Sequence, residues 1–185
     1  MSNEQSGTHR PGLSVGPTHE FTNFYRVKPG HGPALRRALE EHAARPEYTD
    51  VGQIPIATIH EARFVLFDDD TRLLFATSHD GPWDAYIGDF AATPRLGFAE
   101  IFSHVEGPGG ADIDVDAADA DALKALFLIS QVTAASYARN YDATVQEIKK
   151  ALRVNRAFQQ VLDDPAAEET LANTALKPLL DEAGE

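Results

Sequence analysis

The sequence predicts an α+β fold in which one antiparallel β-sheet carries helices on one face. Residues 59–81 contain two runs rich in β-branched and aromatic residues around an acidic turn, which is typical of a β-hairpin. Segments with a helical spacing of apolar residues flank this hairpin on both sides. The 185 residues are enough for a single domain with a sizeable core and short appendages.

The first half of the chain predicts a strand, a helix and the two strands of the hairpin. Residues 21–27 are mostly strand formers and stop at a Pro-Gly pair. Residues 33–45 predict a helix, because Pro33 suits a first helical turn and Leu35 and Leu39 give the segment an apolar edge. A loop then leads into the hairpin.

The hairpin has a predicted register. If the turn over residues 68–71 is symmetric, Leu66 lies opposite Leu73 and His60 lies opposite His79, and opposed residues share a face of the sheet. The first face, which contains these four residues, is mostly apolar and is expected to pack against helices. The other face carries Glu61, Arg63, Val65, Phe67, Arg72, Leu74, Ala76 and Ser78.

The second half of the chain predicts mainly helices. Apolar residues at helical spacing run from 83 to 105 with an interruption at Pro94, and a short apolar helix follows over 122–129. Residues 131–141 alternate with a period of two and predict a fourth strand. Residues 144–162 predict a final amphipathic helix that begins with a capping box.

The predicted order is β-α-β-β-α-β with an added C-terminal helix, which is the ferredoxin-like plan. We expect a flexible tail over residues 1–19, the α+β domain over 20–165 and a polar helical tail over 166–185. In its element order, first strand and hairpin, over about residues 20–162, the chain resembles the dimeric α/β-barrel superfamily. That superfamily includes small monooxygenases, haem-degrading enzymes, chlorite dismutases and dye-decolourising peroxidases. The resemblance implies a homodimer whose two sheets enclose a cavity.

Composition excludes several kinds of partner. The chain has 16 Lys and Arg against 29 Asp and Glu, and a net charge of −13 disfavours binding to nucleic acid. It has no cysteine, which excludes disulfides, thiolate metal ligands and a cysteine nucleophile. No run of apolar residues is long enough to span a membrane, and the N-terminal residues lack the apolar core of a signal peptide. We therefore expect a soluble, cytoplasmic protein.

The hairpin supplies the candidate catalytic residues His60, His79, Glu61 and Arg63. Neighbouring imidazoles can share acid and base roles or bind a divalent metal, but two ligands are too few, and a third from Asp80 or Glu61 would need a twist or bulge. The alternative is that polar residues collect where strands end in water. Inside a barrel, Arg63 would orient an acidic or phenolic molecule through its planar guanidinium; the alternative is an internal salt bridge with Glu61.

Further candidates are predicted to bind a substrate. Tyr137 and Arg139 alternate along the predicted fourth strand, so they can share a face beside Asn23 and Tyr25 of the first strand. The alternative is that the tyrosines contribute apolar area to the core. Asn23 and Trp83 also resemble the asparagine and tryptophan of haem-degrading relatives.

His104 is the candidate cofactor ligand. It lies on the second helical region, from which haem-binding members of the superfamily commonly take their axial histidine. The resemblance therefore implies haem as a candidate cofactor. The alternative is a structural histidine near the negative end of a helix dipole.

These features predict a small-molecule oxidoreductase, of a monooxygenase or peroxidase-like type, that acts on an aromatic or apolar compound with or without haem. Two alternatives belong to other classes. The first is a non-catalytic ligand-binding or accessory protein, and the second is a non-oxidative cyclase or isomerase with a histidine base. The sequence leaves open whether the protein is an enzyme.

Overall fold

The computed structural model describes residues 12–50, 53–93, 97–112 and 120–184. These residues belong to two compact units, which divide between Val145 and Gln146. The first unit contains a β-sheet and most of the helices. The second unit begins within the last long helix and contains the rest of the chain.

The first unit is built on a five-stranded antiparallel sheet. Its strands are β1 (Ser14–Val15), β2 (Thr18–Arg26), β3 (Ile59–Phe67), β4 (Arg72–Asp80) and β5 (Gln131–Val132). The order across the sheet is β1-β2-β4-β3, and β5 pairs with β2 beside β1. The prediction of an α+β fold with an antiparallel sheet is confirmed. The order β5-β2-β4-β3 is compatible with part of a ferredoxin-like plan, to which β1 is an addition.

The predicted fourth strand is wrong beyond its first two residues. Only Gln131 and Val132 pair with β2, and residues 133–144 form no helix or strand. Alternation of side chains was the only support for the longer strand, and alternation produces a strand only where a neighbouring backbone is available for hydrogen bonds.

Eight α-helices are present in the described part of the chain. They are α1 (Gly32–Ala43), α2 (Pro46–Thr49), α3 (Trp83–Ala91), α4 (Phe98–Ser103), α5 (Ala120–Ser130), α6 (Val145–Leu162), α7 (Glu168–Leu171) and α8 (Lys177–Ala183). The predicted helices over 33–45, 122–129 and 144–162 are confirmed as α1, α5 and α6. The predicted helix over 83–105 is divided into α3 and α4, and Pro94, where we expected an interruption, lies outside the described residues.

The core lies between the sheet and the helices of the first unit. The strand residues that face the helices, here called the inner face, include Phe21, Phe75 and Leu73, all fully buried. They pack against Tyr86 and Phe127 from α3 and α5. The inner face of the hairpin is the one that its apolar pattern predicted.

The hairpin register is confirmed along most of its length. Leu66 pairs with Leu73 and Phe64 pairs with Phe75. The turn residues 68–70 all have positive φ angles, of 52°, 51° and 63°, and aspartate is among the few residues that adopt this conformation readily.

The predicted register fails at the open end of the hairpin. A β-bulge between Ile59 and Glu61 places Ile59, rather than His60, opposite His79. The bulge adds one residue to β3, so it transfers His60 to the opposite face of the sheet, here called the outer face.

The predicted N-terminal tail overlaps the sheet. Residues 1–11 lie outside the described residues, whereas β1 begins at Ser14 and β2 begins at Thr18. The side chain of Glu20 accepts a hydrogen bond from the backbone N–H of Leu13, which holds the residues before β1 against β2.

The second unit is entirely helical in its regular structure. It contains α6 from Gln146 onward, α7 and α8. Asp164 and Asn173 cap the short turns between these helices, each by accepting a backbone N–H bond of 2.9 Å two residues later. Of the helices described in either unit, none combines the length and the hydropathy needed to cross a bilayer.

Candidate functional site

Four polar side chains meet on the outer face where β2 begins and β4 ends. The Nε2 atom of His60 lies 2.7 Å from Oδ1 of Asp80 and 3.1 Å from Oγ1 of Thr18. The Thr18 hydroxyl donates to the same Asp80 oxygen over 3.0 Å. Arg139 donates to Thr18 and lies with Nη2 3.4 Å from Nδ1 of His60. These four residues are called the His60 cluster.

The sheet and the irregular segment 133–144 assemble this cluster together. Thr18 and Asp80 are paired across β2 and β4, and the bulge brings His60 to their face. The backbone N–H of Val145 donates to Oδ2 of Asp80 over 2.7 Å, and Arg139 lies over the ring of Tyr141 at 4.5 Å. The cluster therefore ties the chain that leads to α6 onto the sheet.

The arrangement of the His60 cluster suits a structural role, in which its hydrogen bonds hold chain segments together. The side chains of His60 and Asp80 are only 6% and 10% exposed. One nitrogen of His60 contacts both Thr18 and Asp80, whereas a nucleophile activated by a histidine and an acid uses the two ring nitrogens separately. The Nε2–H of His60 donates to Asp80, and Nδ1 on the other side of the ring faces the guanidinium of Arg139.

The carboxyl group of Asp80 is held in its charged form. Burial by itself would raise its pKa, but hydrogen bonds from His60, the Val145 N–H and Thr18 outweigh burial and lower the pKa below its usual range. Three donors that converge on one carboxylate make it the most connected group of the cluster.

His79 lies on the inner face, away from His60. Its ring is fully buried and stacks on Tyr86 with a centroid distance of 3.9 Å, and it also stacks with His19 at 5.8 Å. Burial lowers the pKa of His79 to about 4. The two histidines that the hairpin pattern suggested as a pair are therefore separated by the sheet.

Glu61 and Arg63 are both exposed on the outer face. Farther along this face, Val65 is 43% exposed, and Phe67 of β3 and Leu74 of β4 are half-buried. The helices of the first unit therefore leave an apolar strip of the sheet partly open.

The other predicted substrate ligands do not share one site. Asn23, Tyr25 and Trp83 are buried in the core. The amide of Asn23 donates to the Phe127 carbonyl over 2.6 Å, which fixes α5 on β2. Burial raises the pKa of Tyr25.

Tyr137 and Arg139 lie near the outer face, in the irregular segment. Burial raises the pKa of Tyr137, and a hydrogen bond with Ser78 partly offsets that effect. Arg139 belongs to the His60 cluster. The prediction grouped these two residues with Asn23 and Tyr25, but the structure places Asn23 and Tyr25 on the inner face.

His104 forms a pair with His31 at the end of α4. Their Nδ1 atoms are 3.0 Å apart and their rings meet edge to face. Burial and then the charge of His31 lower the pKa of His104. The positive charges of Lys28 and Arg37 also lower this pKa, whereas the negative charge of Glu100 raises it. This charged surrounding does not fit the apolar faces of a haem.

Sequence reasoning missed a cavity at the edge of the sheet. It has a volume of about 350 Å³, is partly open and lies between α1, α2 and β3, which is the edge strand. Its walls are largely apolar and include Leu39, Ile54, Ile56, Ile59, Phe64 and Phe98. His42, Tyr48 and Arg63 add polar atoms. We call this feature the edge cavity.

One sequence signal points to the edge cavity. His42 follows Leu35 and Ala38 at helical spacing, so it continues the buried side of α1. The centroid of its ring lies 4.0 Å from that of Tyr48 and 5.5 Å from that of Phe64. A histidine on the apolar side of an amphipathic helix therefore marked this place, although the position of α2 could not be inferred from it.

Within the described ranges, no three His, Asp or Glu side chains are grouped closely enough to hold a metal ion. Comparison of the chain with protein-family models, with curated proteins and with solved structures gave no match.

Proposed function

We propose that this protein binds a small, largely apolar or aromatic molecule in the edge cavity. The observation that carries the proposal is a cavity of about 350 Å³ with aromatic walls from Tyr48, Phe64 and Phe98. Ligand sites are usually clefts of roughly 300–1,000 Å³, lined mainly by apolar and aromatic side chains with a few polar groups. The edge cavity has both the size and the lining of such a site.

The surroundings of the edge cavity support binding by a preformed site. Its walls come from α1, α2, β3 and α4, and Phe64 and Phe98 are also in contact with the aromatic core. Rings fixed in this way lose little conformational freedom when a ligand arrives, which favours affinity. An apolar ligand would also gain the dispersion contacts that an open cavity lacks.

The test uses indole as a neutral aromatic probe. Ala62→Phe introduces a ring at a residue that lines the cavity, and phenylalanine is a good strand former, so β3 should persist. We expect wild-type protein to bind indole and Ala62→Phe to bind it at least about tenfold more weakly, because displaced volume costs apolar contacts.

Val65→Phe is the matched control. Val65 lies on the same strand and is exposed on the outer face, outside the cavity lining. This variant should bind indole as the wild type does. The proposal fails if wild-type protein does not bind indole, or if Ala62→Phe binds it unchanged.

The outer face favours a second candidate, the oxidoreductase expected from the sequence. The exposed Val65 and the half-buried Phe67 and Leu74 form an apolar strip beside Glu61 and Arg63. Two such faces brought together would enclose a chamber in which an aromatic compound could react with dioxygen as the oxidant. Light scattering tests the dimer, since Val65→Asp should convert a dimer into single chains. A wild-type protein that is already monomeric removes this candidate.

A further inference from the structure

We propose that the ligand of the edge cavity carries an acidic group, which Arg63 binds at the cavity mouth. This inference depends on the proposed function and identifies the class of ligand. Arg63 is exposed on the edge strand and also lines the cavity, so this residue lies where the apolar interior meets water. Arginine presents several N–H donors in a planar fork that matches the two oxygens of a carboxylate.

Arg63 is available for a ligand. Among the described carboxylates, none forms an ion pair with it, although Glu61 lies two residues away on the same face. A cation beside an apolar cavity, without a protein carboxylate bound to it, favours a ligand that brings its own negative charge. The apolar walls would accept the body of such a molecule.

A second cation adds positive potential near the same cavity. The guanidinium of Arg45 packs against Gly97, which directly precedes the wall residue Phe98. Gly97 has a φ of +72°, which favours glycine, and a Cβ atom there would have to displace the guanidinium of Arg45. The carboxylate of Glu47, which lies next to Tyr48 in α2, partly offsets the positive charge of Arg45.

Because the net charge of the protein is −13, an acidic ligand can be recognised only through short-range contacts. The net negative charge repels anions, and at 0.1 M ionic strength salt largely screens that repulsion beyond about 10 Å. An acidic ligand is therefore held by contact with the guanidinium at the mouth and not by the field of the whole molecule.

The test compares 2-naphthoate with 2-naphthamide, which have the same rings and differ in charge. Binding is followed by calorimetry on the full chain, with wild type, Arg63→Gln and Arg26→Gln. Arg26 is also an exposed arginine, on β2, and does not line the cavity, so its variant matches the change in net charge. We expect wild-type protein to prefer naphthoate by about 5- to 20-fold, and Arg63→Gln to remove the preference.

The outcomes separate this inference from the proposed function. Unchanged affinity of Arg63→Gln for naphthamide would show that the cavity is intact, and a retained preference in Arg26→Gln would exclude a general charge effect. Equal binding of both compounds to wild type, or a preference that survives in Arg63→Gln, overturns the acidic-ligand inference while the cavity remains a binding site. Failure of wild type to bind either compound overturns the acidic-ligand inference, and failure to bind indole as well overturns the proposed function.

Discussion

His60 donates from Nε2 to Oδ1 of Asp80 over 2.7 Å, and the two side chains meet because a bulge moves His60 to the outer face. Without the bulge, His60 would share the inner face with His79 and Asp80 would lack its imidazole donor. A single inserted residue therefore decides whether this histidine belongs to the core or to the clamp that holds the chain leading to α6.

Asp80→Asn should destabilise the protein strongly. The substitution removes the charge that three donors share and turns one accepting oxygen into a donating amide. Because the side chain is only 10% exposed, we expect the free energy of unfolding to fall by about 2–4 kcal/mol in urea titrations. Asp84→Asn is the control, since Asp84 is 68% exposed in its ion pair with Lys124 and should cost less than about 1 kcal/mol. Similar losses in both variants would refute the special role of Asp80.

Asp80 should also govern stability in acid. Burial favours its neutral form, but the bonds from His60, Val145 and Thr18 prevail and lower its pKa in the folded state. The unfolded chain then takes up this proton at higher pH than the folded chain does. The stabilisation is thus complete above about pH 4 and is lost as the pH falls through and below that value. Below pH 4, the unfolding midpoint of Asp80→Asn should depend less on pH than that of the wild type, and parallel curves would contradict this assignment.

His79 should make stability pH-dependent in a separate window. Burial lowers its pKa from 6.5 to about 4, so the folded protein keeps the ring neutral. Below pH 6.5 the unfolded chain binds a proton that the folded chain refuses, and stability falls until about pH 4. The full loss approaches about 3 kcal/mol.

His79→Phe should retain the stacking on Tyr86 and remove this pH dependence. The measurement is the unfolding free energy of both proteins as a function of pH between pH 7 and pH 4. NMR spectra of the wild type follow the protonation of the His79 imidazole. A His79 resonance that titrates near pH 6.5 would be inconsistent with burial of the neutral ring.

Gln131→Met should leave stability unchanged or raise it by about 1 kcal/mol. Gln131 is 3% exposed, and neither its Oε1 nor its Nε2 has a hydrogen-bond partner among the described residues. Methionine has a similar volume and no amide to leave unsatisfied. Thermal and urea unfolding would measure the effect. A loss above about 1 kcal/mol would mean that bound water or another group satisfies the amide in solution.

Local patterns predicted the elements whose contacts are close in sequence. The hairpin pairs Phe64 with Phe75 as expected, because strand alternation and a short turn fix register over a few residues. The helix α6 begins at Val145, one residue after the expected start, since its apolar spacing and capping residues are also local.

Long-range contacts decided the features on which function depends. The strand expected over 131–141 ends at Val132. Arg139 does not extend that strand and instead donates a hydrogen bond to Thr18, which is 121 residues away in sequence. The edge cavity combines His42 of α1 with Tyr48 of α2 and Arg63 of β3, and no periodicity in one segment specifies how three segments approach each other.

The sequence by itself determined the α+β class, the hairpin and the inner face of the sheet, because burial of apolar side chains follows their spacing along one chain segment. Tertiary structure alone decided that His60 leaves that face, that Asp80 becomes its partner and that a cavity opens beside Arg63. The physical reason is that a bulge shifts register by one residue and that a cavity is the space left between separate elements. The bulge and the cavity both depend on how distant parts of the chain pack together, and the pattern of apolar residues in a single segment predicts neither.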